Sequence, residues 1–275
     1  MAYWNQASWE RAAGGELPVY QASAMAWTPG VVQGFTTRHG GVSAAPYDAL
    51  NLGTHVKDNW EDVQENRRRL WSSLGFEETQ VAMAEQVHGD VVAVVTSGSQ
   101  IPVAGADALV TASRDVLLAL WFADCVPVYF FDRLTYAVGL AHAGWRGTAA
   151  NIAAKTLQTM ERELGCQPGT CIAAIGPSIA AESYVVGPEV AGVFQALAPD
   201  AVEPSFAQEG KFHLDLRRVL FGQLVAAGMS PENILVSGED TCRDESDFFS
   251  YRRDGVTGRM AAYLGVRRAS ASQRP

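Results

Sequence analysis

The chain has 275 residues, of which 48% are hydrophobic and 19% are charged, and its formal net charge is −9. This is ordinary globular composition, and the length suffices for one large domain or two small ones. The only run of three basic residues is Arg67-Arg68-Arg69, which falls on a predicted helix and indicates a solvated face. Because a nucleic-acid-binding protein needs a basic footprint, we expect no nucleic-acid partner.

The sequence also argues against export and membrane insertion. Glu10, Arg11 and Glu16 interrupt any apolar core near the N-terminus, so no secretory signal is expected. No uncharged apolar run approaches the ~20 residues that span a bilayer. We therefore expect a cytoplasmic protein without a membrane partner. Separately, the expected partner is a small-molecule substrate, and the expected oligomeric state is a monomer or weak homodimer. None of the four cysteines has a Cys-x-x-Cys spacing, so we expect reduced thiols rather than a disulfide framework.

Hydrophobic periodicity and turn residues predict the elements in chain order. Residues 1–17 are expected to form a loosely ordered arm, 18–267 a single catalytic domain, and 268–275 a disordered tail. The predicted strands are 31–37, 81–84, 91–95, 108–111, 117–122, 126–131, 137–141, 171–175, 234–237 and 259–266. The predicted helices are 58–74, which Asp58 would cap, 148–164, 188–197 and 216–227. Strands outnumber helices without strict alternation, which predicts the α+β class.

The chain is organised around residues 117–151. Two apolar runs flank the polar pair Asp124-Cys125, and a third run ends on His142. Cys125 and His142 are therefore each predicted to lie at the end of a buried strand. Scaffolds place chemistry there because a rigid element fixes a side chain that a loop exposes.

Three residues are candidate metal ligands. His88, Cys125 and His142 would form a two-imidazole, one-thiolate set, the kind of three-ligand set that leaves catalytic zinc a free coordination position. That position can hold a water molecule whose pKa the metal lowers to ~7. The sequence separations are too long for a zinc finger. Spacing alone therefore leaves open that each side chain is simply packed or hydrogen-bonded.

Two Gly-rich turns are candidate anion sites. Arg146 lies in Gly144-Trp145-Arg146-Gly147, just before a predicted helix, where a cation opposes the helix dipole and a bound anion would relieve that repulsion. Arg38 and His39 lie in a second Gly-rich turn and could hold the same anion. The alternative, that Arg146 extends into solvent, stays open.

Several motifs together resemble the YfiH-like, or laccase-domain, family over about residues 34–264. They are TTRHGGVSAAPYDALNLGTHV, QVHGDVV, ADALVT, ADCVPV, GLAHAGWRGTAANI and FFSYRRDGVTGRMA. The resemblance implies mixed β-sheets flanked by α-layers in an αββα arrangement. One departure is Ser178, where many members carry Cys, so any thiol role at that position is absent here.

The resemblance also implies an activity and a site. It places zinc on His88, Cys125 and His142, and implies purine nucleoside phosphorolysis, including that of methylthioadenosine, and deamination of adenosine. Arg146 would join the three ligands as a catalytic residue by holding phosphate. The candidate substrate-binding residues are Arg38, His39, Ser43, Asn51, His55 and Asp124.

Two alternative activities follow from other labels in the family. A multicopper oxidase needs about ten histidines plus a cysteine for its coppers, whereas this chain has five histidines. Copper could still replace zinc at the three-ligand site and give weak phenol oxidation. The second alternative is a Cys-His amidase that edits peptidoglycan precursors, with Cys125 as the nucleophile.

Overall fold

The computed structural model describes residues 9–12, 17–98 and 102–268, which form seven α-helices and fifteen β-strands. The helices are α1 (Ser23–Ala26), α2 (Trp60–Leu74), α3 (Trp145–Ala149), α4 (Ile152–Leu164), α5 (Pro188–Leu197), α6 (Leu216–Ala226) and α7 (Tyr251–Asp254). The strands are β1 (Trp9–Ala12), β2 (Val19–Ala22), β3 (Val31–Thr36), β4 (Val81–Met83), β5 (Val92–Val94), β6 (Ala108–Thr111), β7 (Leu117–Phe122), β8 (Val126–Asp132), β9 (Val138–Ala143), β10 (Cys171–Ile175), β11 (Val185–Val186), β12 (Val202–Pro204), β13 (Phe212–Leu214), β14 (Ile234–Val236) and β15 (Met260–Val266).

The strands form two large mixed sheets and one small sheet. The first sheet has the order β1-β2-β3-β15-β7-β4, and the second has the order β14-β10-β8-β9-β6-β5. Each contains parallel and antiparallel pairs, for example β4 parallel to β7 and β8 antiparallel to β9. The small sheet has the order β11-β13-β12. The predicted α+β class is confirmed.

Alternating side chains assign each sheet face to a layer. Leu118, Leu120 and Phe122 of β7 pack in the same core as Tyr129 and Phe131 of β8, so the two large sheets face each other. The opposite face of β7 packs on α2, and the opposite face of β8 packs on α4, α5 and α6. A strand that is buried on both faces has a continuous apolar sequence, which is why β7 and β8 could be predicted. The layers follow the expected order αββα.

Helix α2 begins two residues later than predicted. Asn59, not Asp58, is its N-cap: the Asn59 side chain accepts hydrogen bonds from the backbone amides of Glu61 and Asp62. Asp58 instead binds Ser43 and Asn51. The predicted end of the helix at Gly75 is correct, because Gly75 has a left-handed backbone conformation.

The predicted helix 148–164 is two helices. Helix α3 already begins at Trp145, and Asn151 breaks the run because its φ is +64°. Asn is one of the few residues that adopts this conformation readily, so it allows the turn between α3 and α4.

Strands β1 and β2, at one edge of the first sheet, were not predicted. Strand β1 lies inside the segment expected to be a loose arm; it pairs with β2, and Trp9 packs on the ring of Tyr129 at 5.6 Å. Residues 1–8, 13–16 and 269–275 lie outside the described residues, so most of the arm and tail predictions concern parts of the chain that the structure does not describe. Within the described residues, no helix has the length and apolar character needed to cross a bilayer.

Candidate functional site

The site lies where the two large sheets are joined. Cys125 lies in the short connection from β7 of the first sheet to β8 of the second. His142 is on β9, directly opposite Pro127 of β8, so register places it beside Cys125. A Cβ atom added to Gly144 would lie 3.1 Å from Cys125 Sγ and from His88 Cδ2. The glycine therefore allows the three functional side chains to approach closely.

His88, Cys125 and His142 form one cluster, as the sequence predicted. Their ligand atoms all lie within 4.8 Å of one another. The two imidazole rings meet edge to face, with centroids 4.8 Å apart. His142 is buried, Cys125 is half-buried and His88 is exposed, so the cluster is open on one side. Two imidazoles and one thiolate fit a zinc or copper ion, and the open side leaves a position for a further ligand.

Asp107 supports this cluster, and sequence reasoning did not assign it a role. Its Oδ1 lies 2.8 Å from His142 Nδ1. Its two oxygens also accept hydrogen bonds from the backbone amides of Val87, His88 and Gly89, at 3.1, 3.0 and 2.7 Å. One carboxylate thus fixes the ring of one candidate ligand and the backbone of another. A carboxylate directly before a strand, in the ADALVT motif, was the available signal.

Charges within the cluster stabilise one another. Burial opposes ionisation of the Cys125 thiol, but the charge and hydrogen bond of His142 and the hydrogen bond of His88 lower its pKa to about 6. Burial also opposes protonation of His142, yet the Cys125 thiolate and the Asp107 carboxylate raise its pKa to about 9. The cluster is therefore a thiolate-imidazolium pair, and a bound cation would take the place of the imidazolium proton.

A cavity of about 950 Å³ opens onto the cluster. Four arginines line it: Arg67, Arg146, Arg252 and Arg259. None of the four forms an ion pair with a carboxylate in the described part of the chain. The acidic residues that line the cavity are Glu85 and Asp124. The cavity is therefore suited to an anionic ligand.

Arg146 lines the cavity, but the helix dipole that suggested an anion site there is weak. Its helix, α3, has only five residues, so the helix dipole is a weak contribution. The Arg146 guanidinium instead stacks on the indole ring of Trp145, 4.4 Å from the ring centroid. It is exposed, and within the described residues its side chain makes no hydrogen bond, while its backbone carbonyl accepts one from the Ala150 amide.

Arg67 corrects the expectation of a solvated face. Its side chain is only 7% exposed, its Nε donates to the Leu52 carbonyl at 2.9 Å, and its guanidinium lies 4.4 Å from the Trp121 ring centroid. Arg67 falls on the inward stripe of α2 with Val63, Leu70 and Trp71, all buried. The helical spacing of Arg67 relative to these apolar residues could have indicated its burial, but the run of three arginines suggested an exposed face instead.

Arg38 and His39 are not among the residues that line the cavity. Arg38 binds Asp48 through its side chain, at 2.8 Å to the carbonyl and 3.2 Å to the carboxylate. His39 Nε2 lies 2.9 Å from the Asp247 carboxylate. The Arg38 charge is paired with Asp48, and His39 already contacts the Asp247 carboxylate, which does not favour the predicted shared anion site with Arg146.

Ser43 and Asn51 hold the loop that leads to His55. Ser43 Oγ and Asn51 Nδ2 both donate to the Asp58 carboxylate, at 2.7 and 2.8 Å. Both residues are buried and neither lines the cavity, whereas His55 does. Burial, together with the charges of Arg259 and Arg67, lowers the pKa of His55 to about 4, so His55 offers a neutral imidazole.

Asp124 lines the cavity, but neighbours occupy its carboxylate. It accepts hydrogen bonds from Thr241 Oγ1 at 2.8 Å, Ser250 Oγ at 3.0 Å and the Arg252 amide at 2.7 Å. Its φ is +89°, unusual for a residue other than glycine, and these bonds hold that conformation. Asp124 therefore ties helix α7, which carries Arg252, to the turn that carries Cys125.

Ser178 is buried next to the second sheet. Its hydroxyl accepts from Arg217 Nε at 2.8 Å, and Arg217 Nη1 donates to the Ser237 carbonyl at 2.7 Å. The serine therefore helps to hold two loops together.

Comparison with known proteins extends over nearly the whole chain. Residues 32–267 match the family model described as multi-copper polyphenol oxidoreductase laccase. The chain is 41% identical to purine nucleoside phosphorylase YlmD of Geobacillus stearothermophilus over 267 residues, covering 90% of this chain and 97% of the relative. It is 44% identical to a purine nucleoside phosphorylase of Deinococcus radiodurans over 254 residues, covering 92% of this chain and 94% of the relative.

Solved structures agree in fold. The crystal structure of YlmD from Geobacillus stearothermophilus superimposes with a TM-score of 0.87 at 39% identity, covering 95% of this chain and 99% of that one. The crystal structure of the hypothetical protein YfiH of Bacillus licheniformis gives a TM-score of 0.85 at 35% identity, covering 90% and 96%. The motifs, the layered fold and these matches together place the chain in the YfiH-like family, whose model is described as multi-copper polyphenol oxidoreductase laccase.

Proposed function

We propose that the protein is a zinc-dependent purine nucleoside phosphorylase that also cleaves methylthioadenosine and deaminates adenosine. The observation that carries this proposal is one cavity that contains both the His88-Cys125-His142 cluster and four arginines whose side chains form no ion pair within the described residues. Relatives that are 41% and 44% identical bear the name purine nucleoside phosphorylase. The cavity is large enough to hold a nucleoside and a phosphate ion together.

His88, Cys125 and His142 would hold the metal. Zinc, when bound, supplies Lewis acidity and can lower the pKa of a water molecule, which suits deamination. The chain's own contribution is to orient the ligands. Because Asp107 occupies His142 Nδ1, the opposite ring nitrogen, Nε2, faces the ligand cluster.

Phosphorolysis places a different demand on the cavity. Phosphate must approach C1′ of the ribose while the purine leaves, and positive charge builds up on the sugar. The main task of the protein is then to position the anion. Arg146 would hold the phosphate, because its planar guanidinium can donate two parallel hydrogen bonds to two oxygens. His55, as a neutral imidazole, would orient the sugar or the base.

A copper-dependent phenol oxidase is the first alternative, and the description of the family model favours it. The residues argue against a multicopper mechanism. Among the described residues, His88, Cys125 and His142 form the one group of metal-binding side chains. A single copper at that group would account for weak phenol oxidation without a physiological laccase activity.

A Cys-His amidase is the second alternative. It is favoured by the lowered pKa of Cys125, since a thiolate beside an imidazolium is the form of a cysteine nucleophile. A metal bound to Cys125 would block that role, so the two functions require different states of one side chain.

One experiment separates the three functions. Purified protein of measured metal content is assayed against adenosine with phosphate, against a phenol, and against a muramyl amide. We expect phosphate-dependent release of adenine together with phosphate-independent deamination. Phenol oxidation should rise with added copper and vanish after chelation and zinc replacement. Binding of four coppers with a strong blue absorption band, or amide cleavage by metal-free protein alone, would contradict the proposal.

A further inference from the structure

The four cavity arginines fall into two pairs that come from different sides of the fold. Arg67 is on α2, the layer outside the first sheet, and Arg259 directly precedes β15 of that sheet. Arg146 follows β9 of the second sheet, and Arg252 donates to the Val185 carbonyl of the small sheet at 2.6 Å. Cys125 lies in the connection that joins the two large sheets, and it lines the same cavity.

The neighbours of each pair support this division. Arg146 stacks on Trp145 and Arg252 stacks on Tyr184, which lies next to β11. The charges of both also act on the pKa of Tyr184, against the raising effect of burial. Arg259 and Arg67 act together with burial to lower the pKa of His55. The Arg259 guanidinium also lies 5.9 Å from the ring centroid of Tyr251, which precedes Arg252 in α7, so the two pairs adjoin there.

Stacking leaves these arginines able to bind a ligand. A guanidinium packs on an aromatic ring through its face and donates hydrogen bonds from its edge. Arg67 uses Nε on the Leu52 carbonyl, and its two terminal nitrogens make no hydrogen bond in the part of the chain that the structure describes. Arg259 donates from Nη1 to the Thr257 and Gly258 carbonyls, both at 2.9 Å, so a ligand would bind its Nε and Nη2. Burial of an unpaired guanidinium is unfavourable, so an anion in the cavity would relieve that cost.

The stereochemistry of phosphorolysis indicates on which side of the sugar the arginines that hold the attacking phosphate must lie. In a β-nucleoside, the base and C5′ lie on the same face of the ribose. A single displacement requires phosphate to approach C1′ from the opposite face. Phosphate held by Arg146 and Arg252 would therefore lie on one side of the sugar, and the substituent on C5′ would extend away from it.

We propose, building on the phosphorylase function above, that Arg67 and Arg259 form a second anion subsite, and that the preferred substrates are purine nucleoside 5′-phosphates. In the reaction, the C1′–N9 bond breaks and its electron pair and a proton go to the purine. A C1′–O bond forms to inorganic phosphate. The products are the free purine and ribose 1,5-bisphosphate, with no change in oxidation state.

The test compares inosine with inosine 5′-monophosphate at saturating phosphate. Wild-type protein should bind the nucleotide at least about tenfold more tightly and turn it over with a correspondingly higher kcat/KM, as expected for added charged hydrogen bonds. Binding is followed through intrinsic tryptophan fluorescence, because Trp121 contacts Arg67.

Arg67→Gln and Arg259→Gln should each lower the nucleotide-to-nucleoside ratio of kcat/KM about tenfold. Two variants are needed because Arg67 is buried and its loss could impair folding, which a melting curve monitors. Arg68→Gln is the matched control, since Arg68 is exposed on the same helix and binds Glu65; its ratio should equal that of the wild type.

Equal binding of nucleotide and nucleoside by the wild type, or an unchanged ratio in both cavity variants, would overturn the second subsite. If the protein is not a phosphorylase, the experiment gives a different result. In that case neither compound releases hypoxanthine, and the binding measurements on wild type and variants still decide whether the subsite exists.

Discussion

His142 Nδ1 lies 2.8 Å from Asp107 Oδ1, and this contact determines which ring nitrogen of His142 faces the other two ligands. Both residues are buried, at 3% and 0% exposure of the side chain, so water does not compete for the contact. The same carboxylate accepts the backbone amides around His88. Asp107 therefore couples two of the three candidate ligands without contacting the cavity.

We predict that Asp107→Asn weakens zinc binding by roughly 10- to 100-fold, the usual effect of losing a carboxylate partner of a ligating histidine. The amide has one acceptor oxygen, so it cannot hold the His142 ring and all three backbone amides. The measurement is competition with a chromophoric chelator. Asp90→Asn is the control, because Asp90 is close to His88 in the sequence but binds Lys155 at the surface. Unchanged affinity in Asp107→Asn would show that the carboxylate does not orient the ligands.

The second prediction concerns the Cys125 thiolate. Protein purified without added metal should contain close to one zinc per chain, and Cys125→Ser should lose most of it, because a thiolate binds zinc more strongly than a hydroxyl. Cys242→Ser is the matched control, since Cys242 is also half-buried but lies outside the cluster. Elemental analysis of both variants checks this. Full zinc content in Cys125→Ser would mean that the metal binds elsewhere.

The sequence was sufficient for elements that bury whole apolar runs. Strand β7 was predicted with its exact bounds, 117–122, because both of its faces are covered, by α2 and by the second sheet. The small sheet was missed because β11, β12 and β13 have only two or three residues each and no alternation to detect. Helix breaks depend on single backbone conformations, such as that of Asn151, which periodicity does not reveal.

At the site, too, the sequence predicted some features and missed others. Cys125 and His142 could be recognised in the sequence because each borders or ends a predicted buried strand, and the register of β8 and β9 then brings them together. Arg38 and Arg146 read alike, since each lies in a Gly-rich turn. Only the fold shows that Asp48 binds Arg38 while Arg146 faces the cavity. Partners distant in sequence decide whether a charge is available, and a linear motif carries no information about them.

A pH prediction concerns Asp132, a buried carboxylate at the end of β8. Burial raises its pKa, but hydrogen bonds from the Thr135 and Thr170 hydroxyls and from nearby backbone amides outweigh this and lower the pKa below 3.8. A folded-state pKa below the unfolded value stabilises the fold at higher pH, and this stabilisation is lost as pH falls through the folded pKa. Asp132→Asn should therefore lower the free energy of unfolding by about 1–3 kcal/mol at pH 7.

The difference between Asp132→Asn and wild type should shrink as the pH falls below about 4, because the wild-type carboxylate then becomes protonated. Urea unfolding at a series of pH values measures this. Asp200→Asn serves as the comparison, since Asp200 forms an exposed ion pair with Arg218 and should show little effect at any pH. A difference that grows toward low pH would reverse the assigned sign of the pKa shift.

The last prediction tests the role of Arg146 in holding phosphate. Lysine keeps the positive charge but loses the planar pair of donors that match two phosphate oxygens. It also loses the flat group that stacks on Trp145, so the charge is positioned less well. Arg146→Lys should raise the KM for phosphate and lower inosine phosphorolysis about tenfold or more, roughly 1.4 kcal/mol or above.

Adenosine deamination uses water in place of phosphate, so Arg146→Lys should impair it much less. Both activities are measured on one preparation with its zinc content determined, beside Arg162→Lys, which alters an exposed arginine on α4 that binds Glu163. Equal loss of both activities would mean that Arg146 supports the fold or the metal cluster. An unchanged phosphate KM would mean that another arginine holds the attacking phosphate. Arg252 forms a pair with Arg146 at the cavity, so Arg252→Lys should then be the variant that raises the phosphate KM.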